Sequence, residues 1–283
     1  MTVFEDKKAL SSYLERLNSK KTSIGLVPTM GALHDGHGTL VQYGLRDNEI
    51  VVVSIFVNPT QFNNSHDLTN YPRNLKRDTN FLKTISNEKI IVYAPSIADI
   101  YGNKTESERF DFDGLENEME GRFRPGHFDG VGTIIKRLFQ IIKPNRAYFG
   151  EKDYQQLMIV KKLESKYRLG VEIKGCPIFR AEDGLAMSSR NERLTLSQRK
   201  AAPFIYQTLR TAKKKFGTES ATRVREWVVG QFKENDILEL EYFIIANSKT
   251  LKAIERKSTK NKYRAFIAVF AGDVRLIDNI ALN

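Results

Sequence analysis

The fold and the candidate chemistry of this chain are both indicated by residues 24–37, which read Ile-Gly-Leu-Val-Pro-Thr-Met-Gly-Ala-Leu-His-Asp-Gly-His. The apolar start of this stretch is typical of a buried strand, and its polar end is typical of the start of a helix. A helix N-terminus carries free backbone N–H groups and a partial positive charge, which attract phosphate. His34 and His37 can donate hydrogen bonds there. The pattern predicts a nucleotide whose α-phosphate reacts. A solvent-exposed or core histidine pair, or a weak metal site, is the competing interpretation.

Strand and helix signals alternate over the first 180 residues. The predicted strands are 23–27, 50–57, 89–94, 146–149 and 171–174. The predicted helices are 38–47, 73–86, 129–143 and 153–168. Such alternation predicts an α/β fold with a doubly wound, Rossmann-like parallel sheet, whose ligands bind beyond the carboxyl ends of the strands.

The composition changes after Pro177. We expect helices near 197–216 and 219–234, followed by strands near 238–246 and 264–277. This arrangement predicts a Rossmann-like nucleotide-binding domain over residues 1–178 and a smaller α+β lid domain over residues 179–283.

The bulk properties narrow the class of protein. No apolar run approaches the roughly 20 residues that span a bilayer, and the charged N-terminus is unlike a signal peptide. The single cysteine, Cys176, excludes an internal disulfide and fits a cytoplasmic location. The net charge of +11 is compatible with nucleic acid, an anionic small substrate or a lysine-rich surface. Because the basic clusters are not interleaved with aromatic residues, we expect no nucleic-acid partner. Because no apolar run is long enough to span a bilayer, we expect no membrane partner.

Polar side chains follow two further predicted strands. Asn58 and Gln61 come after the second strand, and their amides suit the hydroxyls and carboxylate of a small polar substrate. Lys152 and Gln156 follow the fourth strand, where a cation can meet a triphosphate. Ordinary turns are the alternative interpretation of both segments.

Three other features carry possible chemistry. Arg124 and His127 lie in a glycine-punctuated loop that can present a guanidinium group to phosphate, or simply connect two elements. The stretch 187–190, Met-Ser-Ser-Arg, can close over phosphates or form a surface loop. Asp78 is a candidate Mg²⁺ ligand, since Mg²⁺ uses one or two carboxylates beside a nucleotide. The chain has neither a P-loop nor a GxGxxG fingerprint, which argues against kinases and dehydrogenases.

Taken together, these blocks resemble the pantoate–β-alanine ligase (pantothenate synthetase) family. The resemblance covers nearly the whole chain, in the family's order, through the segments 28–37, 56–62, 71–73, 124–128, 149–156, 183–191 and 275–279. That family belongs to a larger group of nucleotidyl transferases and class I aminoacyl-tRNA synthetases, marked by His-x-Gly-His and a Lys-Met-Ser-Lys-Ser-like loop. Here Met187-Ser-Ser-Arg190 is similar to the second signature, with Arg in place of a Lys.

The resemblance implies a role for each matching position. The implied catalytic residues are His34, His37, Lys152 and Arg190, with His37 similar to the residue usually described as the proton donor. The implied ATP-binding residues are Met30, His34, His37, Gly150, Glu151, Lys152, Asp153, Phe179, Met187, Ser188, Ser189 and Arg190. Gln61, Gln156 and Asn58 are expected to bind pantoate in the first domain, and Gln61 also β-alanine. Arg124 and His127 match a loop over the site.

The resemblance also implies a reaction and its requirements. The family joins pantoate to β-alanine through pantoyl adenylate, consumes ATP with Mg²⁺, and is typically a cytoplasmic homodimer. Gly38 departs from the pattern, because the family usually has a large apolar residue there, and a glycine weakens a helix. Two rival hypotheses stay open: an adenylating ligase for another carboxylate, and a non-catalytic nucleic-acid-binding protein.

Overall fold

The computed structural model describes residues 1–283, apart from the side chains of residues 18 and 66. Its contacts divide the chain into two compact units. The first unit comprises Met1–Glu151 and Gln155–Pro177, and the second comprises Lys152–Tyr154 and Ile178–Asn283. The division at 177/178 lies one residue from the predicted boundary, but the short segment Lys152–Tyr154 groups with the second unit. Compactness does not test independent folding, so the two predicted domains stay a prediction.

The first unit is built on a six-stranded sheet in which all neighbouring strands are parallel. The strands are β1 (Thr2–Phe4), β2 (Ile24–Thr29), β3 (Ile50–Ile55), β4 (Ile90–Tyr93), β5 (Arg146–Gly150) and β6 (Glu172–Cys176). Their spatial order is β1-β4-β3-β2-β5-β6. From β2 the chain first adds β3 and β4 on one side and later adds β5 and β6 on the other side. The direction in which strands are added therefore reverses between β2 and β5. Sheets of this kind bind ligands at such a reversal, beyond the carboxyl ends of the strands.

Helices connect these strands. They are α1 (Lys7–Asn18), α2 (Asp35–Asp47), α3 (Ser65–Thr69), α4 (Leu75–Ile85), α5 (Ile97–Tyr101), α6 (Met119–Phe123), α7 (His127–Ile142) and α8 (Tyr154–Tyr167). The predicted α/β class and the parallel sheet are confirmed. The three consecutive valines of β3, at positions 51–53, are all fully buried, as expected for a strand covered on both faces.

The first two elements, β1 and α1, were not predicted from the sequence. β1 is only three residues long, too short to give a periodic pattern. α1 carries a readable start signal, because the side chain of Asp6 accepts a hydrogen bond from the backbone N–H of Ala9 at 2.8 Å. Its buried residues Leu10 and Leu14 lie four apart, on one face of the helix.

The second unit combines helices with a three-stranded antiparallel sheet of order β7-β8-β9. Its elements are α9 (Leu196–Ala201), α10 (Phe204–Thr218), α11 (Ala221–Lys233), β7 (Leu238–Asn247), β8 (Tyr263–Ala271) and β9 (Val274–Ala281). α10 and α11 pack on the sheet, and one apolar cluster fills the space between the helices and the strands.

Two predicted elements of the second unit were wrong in extent. The predicted helix 197–216 is two helices, because Pro203 has no backbone N–H and stands between Ala201 and Phe204. The predicted strand 264–277 is a hairpin, β8 and β9. Gly272 forms its turn with a φ of 60°, a left-handed conformation that glycine adopts without strain.

Among the described residues, we find no helix that combines the length and the apolar character needed to span a membrane.

The packing of the second unit predicts a contrast between two leucines on its helices. Leu209 of α10 is fully buried, whereas Leu196 of α9 is 85% exposed. Leu209→Ala is therefore expected to lower the free energy of unfolding by about 2–5 kcal/mol. Leu196→Ala, the matched control, should change it by less than about 0.5 kcal/mol. Urea titration followed by circular dichroism measures both, and equal effects would contradict the described core.

Candidate active site

The loop between β2 and α2 is held in place by a buried carboxylate. Asp78 of α4 accepts hydrogen bonds from the backbone N–H groups of Ala32 and Leu33, at 3.0 and 2.8 Å. Gly31 and Ala32 both have positive φ, so the loop adopts a backbone conformation that needs such support. Asp78 is only 1% exposed, and each of its oxygens accepts one of these bonds. This geometry fits a structural carboxylate and does not fit the predicted Mg²⁺ ligand.

The two histidines of this loop cap the helix that follows. The backbone N–H of Gly36 donates to Nδ1 of His34 at 3.1 Å, and the backbone N–H of His34 donates to Nδ1 of His37 at 3.4 Å. This reciprocal arrangement is a capping box. A neutral imidazole whose Nδ1 accepts a hydrogen bond carries its proton on Nε2. Both rings, with centroids 4.1 Å apart, therefore have Nε2–H donors at the start of α2.

The departure from the family pattern at Gly38 has a packing reason. Gly38 is buried in the first turns of α2, where α2 packs against α4. A Cβ atom built on Gly38 would lie 3.0 Å from the ring of Phe81 and 3.4 Å from Ile85. The side chains of α4 thus fill the space that a larger residue would need.

In the segment after β3, the side chain of Gln61 is held by a network of buried hydrogen bonds. Asn58 Nδ2 donates to Gln61 Oε1 at 3.2 Å and to the carbonyl of Gly130 at 3.1 Å, and Asn58 Oδ1 accepts from the hydroxyl of Tyr101. Burial raises the pKa of Tyr101, which keeps its phenol protonated as a donor. Gln61 Nε2 in turn donates to Sδ of Met30 at 2.9 Å. Tyr101 went unnoticed in the sequence, since no local signal links it to Asn58.

Arg124 and His127 also act on this segment. His127 Nδ1 lies 2.8 Å from the backbone carbonyl oxygen of Gln61, and Arg124 donates to the same oxygen at 3.3 Å. Arg124 also lies 3.2 Å from His127 Nε2. A Cβ atom on Gly130 would approach the backbone oxygen of Thr60 to 2.4 Å, so α7 needs a glycine to pack this closely. Arg124 and His127 therefore both hold the backbone of Gln61.

A cavity of about 610 Å³ adjoins this part of the sheet. It lies at the carboxyl ends of β2, β3 and β4, and Met30, Arg73 and Ser96 are among its lining residues. Neither histidine of the capping box lines it, and neither does Gln61. Met30 contributes to its wall and also accepts the hydrogen bond from Gln61.

Adjacent glutamines at the start of α8 have different surroundings. Gln155 is buried, and its amide binds the backbone of Leu115, Glu118 and Glu120 at 2.8–2.9 Å. Gln156 is half-buried, and its side chain makes no hydrogen bond to any residue that the structure describes. Gln156 follows β5, the neighbour of β2 across the reversal. Gly150 and Glu151 lie at the end of the same strand.

In the second unit, Lys152–Tyr154 is attached to the antiparallel sheet. The backbone oxygen of Lys152 accepts a hydrogen bond from Asn279 Nδ2 at 2.8 Å, and the hydroxyl of Tyr154 donates to the carbonyl of Ser248 at 3.2 Å. The Nζ of Lys152 lies 3.9 Å from the carboxylate of Asp153.

The other predicted ATP residues of this unit flank a short hairpin in which Arg180 pairs with Ala186; Phe179 comes directly before it, and Met187, Ser188, Ser189 and Arg190 come directly after it. The backbone N–H of Met187 donates to the carbonyl of Phe179 at 3.1 Å, and the ring of Phe179 is exposed. Ser188 Oγ accepts from the backbone N–H of Arg190 at 3.3 Å, which starts a 3₁₀ turn over Ser189–Arg193. Met187, Ser188, Ser189 and Arg190 thus form one ordered segment.

The structure places the predicted residues in two groups. The first group lies near the carboxyl edge of the parallel sheet in the first unit and comprises Met30, His34, His37, Asn58, Gln61, Gly150, Glu151 and Gln156. The second group belongs to the second unit and comprises Lys152, Asp153, Phe179, Met187, Ser188, Ser189 and Arg190. Asp278 lies in the segment 275–279 that resembles the family, but no role was assigned to it from the sequence. Burial raises the pKa of Asp278, and the hydrogen bonds from Arg180 and from the backbone N–H of Asn279 oppose that shift.

Comparison with known proteins gives a consistent result. The family model for pantoate-beta-alanine ligase matches residues 2–281. Pantothenate synthetases of Christiangramia forsetii and Flavobacterium psychrophilum are each 54% identical over 283 residues, which is 100% of both chains.

Solved structures agree with the sequence relatives. Pantothenate synthetase from Thermus thermophilus has a TM-score of 0.91 and 35% identity, covering 100% of this chain and 99% of that one. Pantoate-beta-alanine ligase from Francisella tularensis, complexed with beta-gamma ATP and beta-alanine, has a TM-score of 0.81 and 36% identity, covering 100% and 98%. The whole-length match in both sequence and fold leads to one conclusion: this chain belongs to the pantoate-beta-alanine ligase family.

Proposed function

We propose that this chain condenses pantoate with β-alanine, at the expense of ATP, through a pantoyl adenylate intermediate. The observation that carries the proposal is the capping box of His34 and His37, whose Nδ1 atoms accept backbone hydrogen bonds at the N-terminus of α2, in a chain that matches the family along its whole length. The Francisella tularensis relative, complexed with beta-gamma ATP and beta-alanine, supports ATP and β-alanine as substrates.

The reaction consists of two substitutions. A carboxylate oxygen of pantoate attacks the α-phosphorus of ATP, and pyrophosphate leaves. The amine of β-alanine then attacks the carbonyl carbon of the mixed anhydride, AMP leaves, and the nitrogen loses a proton. The first step brings two anions together, so donors and cations must stabilise the charge that develops on phosphorus oxygens. One preorganised donor of this kind typically contributes about 3–4 kcal/mol.

The residues of the first unit suit the α-phosphate and pantoate. We propose that His34 and His37 donate Nε2–H groups to phosphate oxygens, beside the positive end of the α2 dipole. Met30, Gly150 and Glu151 complete this unit's share of the ATP contacts. Gln61 and Gln156 bind pantoate, and Gln61 also contacts β-alanine. Asn58 acts through Gln61, because its amide is already committed to Gln61, Gly130 and Tyr101.

The residues of the second unit suit the triphosphate and nucleoside. Lys152 and Arg190 supply positive charge to the phosphates, and Ser188 and Ser189 supply hydroxyls and backbone N–H groups. Asp153 binds near the ribose. Phe179 contacts adenine through its backbone, and Met187 belongs with Ser188, Ser189 and Arg190 to the segment on the phosphate side. These roles follow the resemblance, position by position.

Mg²⁺ enters the proposal as the partner of the nucleotide. The described residues contain no group of three or more His, Cys, Asp or Glu that could hold a metal ion. Asp78 is committed to the loop that it supports. The ion would reduce phosphate repulsion when it arrives with ATP, since Mg²⁺ usually keeps several waters and binds substrate phosphates.

The cellular form is also part of the proposal. The lone Cys176 is buried, which is compatible with a reducing cytoplasm. A cytoplasmic homodimer follows from the family resemblance, and light scattering coupled to gel filtration measures the oligomeric state directly.

The substrate assignment is tested by ATP–pyrophosphate exchange. Exchange is expected to require pantoate and to proceed without β-alanine, because ATP is regenerated when the first step runs in reverse. Exchange that requires a different carboxylate would assign the chain to another adenylating ligase. Salt-sensitive binding to RNA or DNA, with no exchange for any carboxylate, would favour the nucleic-acid-binding alternative.

His37 and Lys152 are expected to be needed for turnover. His37→Ala and Lys152→Ala should each lower kcat at least about tenfold without loss of the fold, because each removes a donor to developing charge. His37→Gln is the matched control for helix capping, since glutamine also suits this capping-box position. Its kcat should fall as well, while its thermal stability stays near wild type. Near-normal turnover in these variants would discard the assigned roles.

The two adjacent glutamines of α8 should separate binding from folding. Gln156→Leu is expected to raise KM for pantoate at least about tenfold with little loss of stability, because only a substrate contact is removed. Gln155→Leu should instead lower the free energy of unfolding by about 2–3 kcal/mol, because three backbone groups lose their partner. Steady-state kinetics and urea unfolding measure both variants. A Gln156→Leu protein with unchanged KM for pantoate would refute the contact.

A further inference from the structure

Two adjacent polar residues, Asp278 and Asn279, lie buried in β9. Asp278 is 4% exposed and Asn279 is 1% exposed. Buried polar groups destabilise a protein unless they are hydrogen-bonded, so both need partners. Successive side chains leave a strand on opposite faces, which allows the two residues to contact different segments of the second unit.

Asn279 binds the segment that contains Lys152. Its Nδ2 donates to the backbone oxygen of Lys152 at 2.8 Å, and its Oδ1 accepts a hydrogen bond from Arg264. The guanidinium group of Arg264 lies over the ring of Tyr154, 4.1 Å from its centroid. Two linked contacts therefore attach residues 152–154 to β8 and β9.

Asp278 binds the hairpin that precedes the segment 187–190. Its two oxygens accept hydrogen bonds from Arg180 at 2.6 and 2.9 Å, a bidentate pair of the stronger kind. Arg180 also donates to the carbonyl of Gly184 at 3.1 Å and lies 3.7 Å from the ring centroid of Tyr206. Arg180 thus closes the turn from which the chain continues directly to Met187.

These contacts connect two segments that are far apart in sequence. One segment contains Lys152, and the other contains Ser188, Ser189 and Arg190. We propose that the pair Asp278–Asn279 is a positioning element that fixes these two phosphate-binding segments relative to each other within the second unit. The inference rests on the proposed function, because it takes both segments to bind ATP phosphates. A displacement of about 1 Å in a catalytic group can cost about 100-fold in rate.

Asn279→Asp tests this link with a nearly isosteric change. The variant keeps an oxygen for Arg264 but replaces the N–H donor by an oxygen that faces the carbonyl of Lys152. In pantoate-dependent exchange, kcat is expected to fall about 30-fold, with KM for pantoate within about threefold of wild type. Arg275→Gln is the control, since Arg275 also lies on β9 but pairs with Glu241 of β7, and breaking that ion pair should leave kcat unchanged.

A double-mutant cycle with Lys152→Ala distinguishes positioning from general support of the fold. If Asn279 acts through the Lys152 side chain, Asn279→Asp should cost less than about threefold in the Lys152→Ala background. The same large loss in both backgrounds would overturn the inference, and so would normal kcat in a folded Asn279→Asp protein.

A second variant covers the possibility that Asn279→Asp does not fold. Arg180→Lys keeps the charge beside Asp278 but loses the bidentate geometry. Its kcat should also fall at least about tenfold, with KM for pantoate unchanged. Normal kcat in Arg180→Lys would overturn the inference. If the wild-type protein shows no pantoate-dependent exchange, both the proposed function and this inference are rejected. If the wild-type protein shows normal exchange and the variants are unaffected, this inference alone is rejected.

Discussion

The hydrogen bonds from the backbone of Ala32 and Leu33 to the carboxylate of Asp78 are the constraint on which the candidate site depends. They hold a loop with two consecutive positive φ angles directly between β2 and α2. The end of that loop sets where α2 begins, and the start of α2 sets the positions of His34 and His37. A charge-assisted bond to a backbone N–H is stronger than a neutral one, so a single buried carboxylate can maintain this geometry.

The same principle recurs at two other places, with buried polar side chains as connectors. Asn58 joins Gln61 to Tyr101 and to the backbone of α7, and the pair Asp278–Asn279 joins two segments of the second unit. In a low-dielectric interior such bonds are directional and costly to leave unsatisfied. Each connector therefore specifies one arrangement of the side chains around it. A buried polar side chain can in this way determine how precisely its neighbours are placed.

Much of the fold was predictable because parallel strands have strong local signals. β3 was predicted from the apolar run over 50–57, and α8 from the helical pattern over 153–168. The elements that escaped prediction include β1, which is only three residues long, and α1, whose start signal at Asp6 was overlooked. Pro203 and Gly272 each divide an element that was predicted as continuous. Among candidate site residues, Gln155 and Gln156 are identical in type and adjacent, and only the structure assigns the first to the backbone of residues 115–120.

The sequence by itself determined the α/β class, the His-x-Gly-His turn and the family, because these depend on residue type and spacing along the chain. Only the tertiary structure decided that Asp78 supports a loop, that Asn58 and His127 hold Gln61, and that Lys152 is attached to β9. The physical reason is that each of these functions depends on a hydrogen bond between residues 3 to 127 positions apart, and all but the Asn58 bond exceed the range of any local pattern.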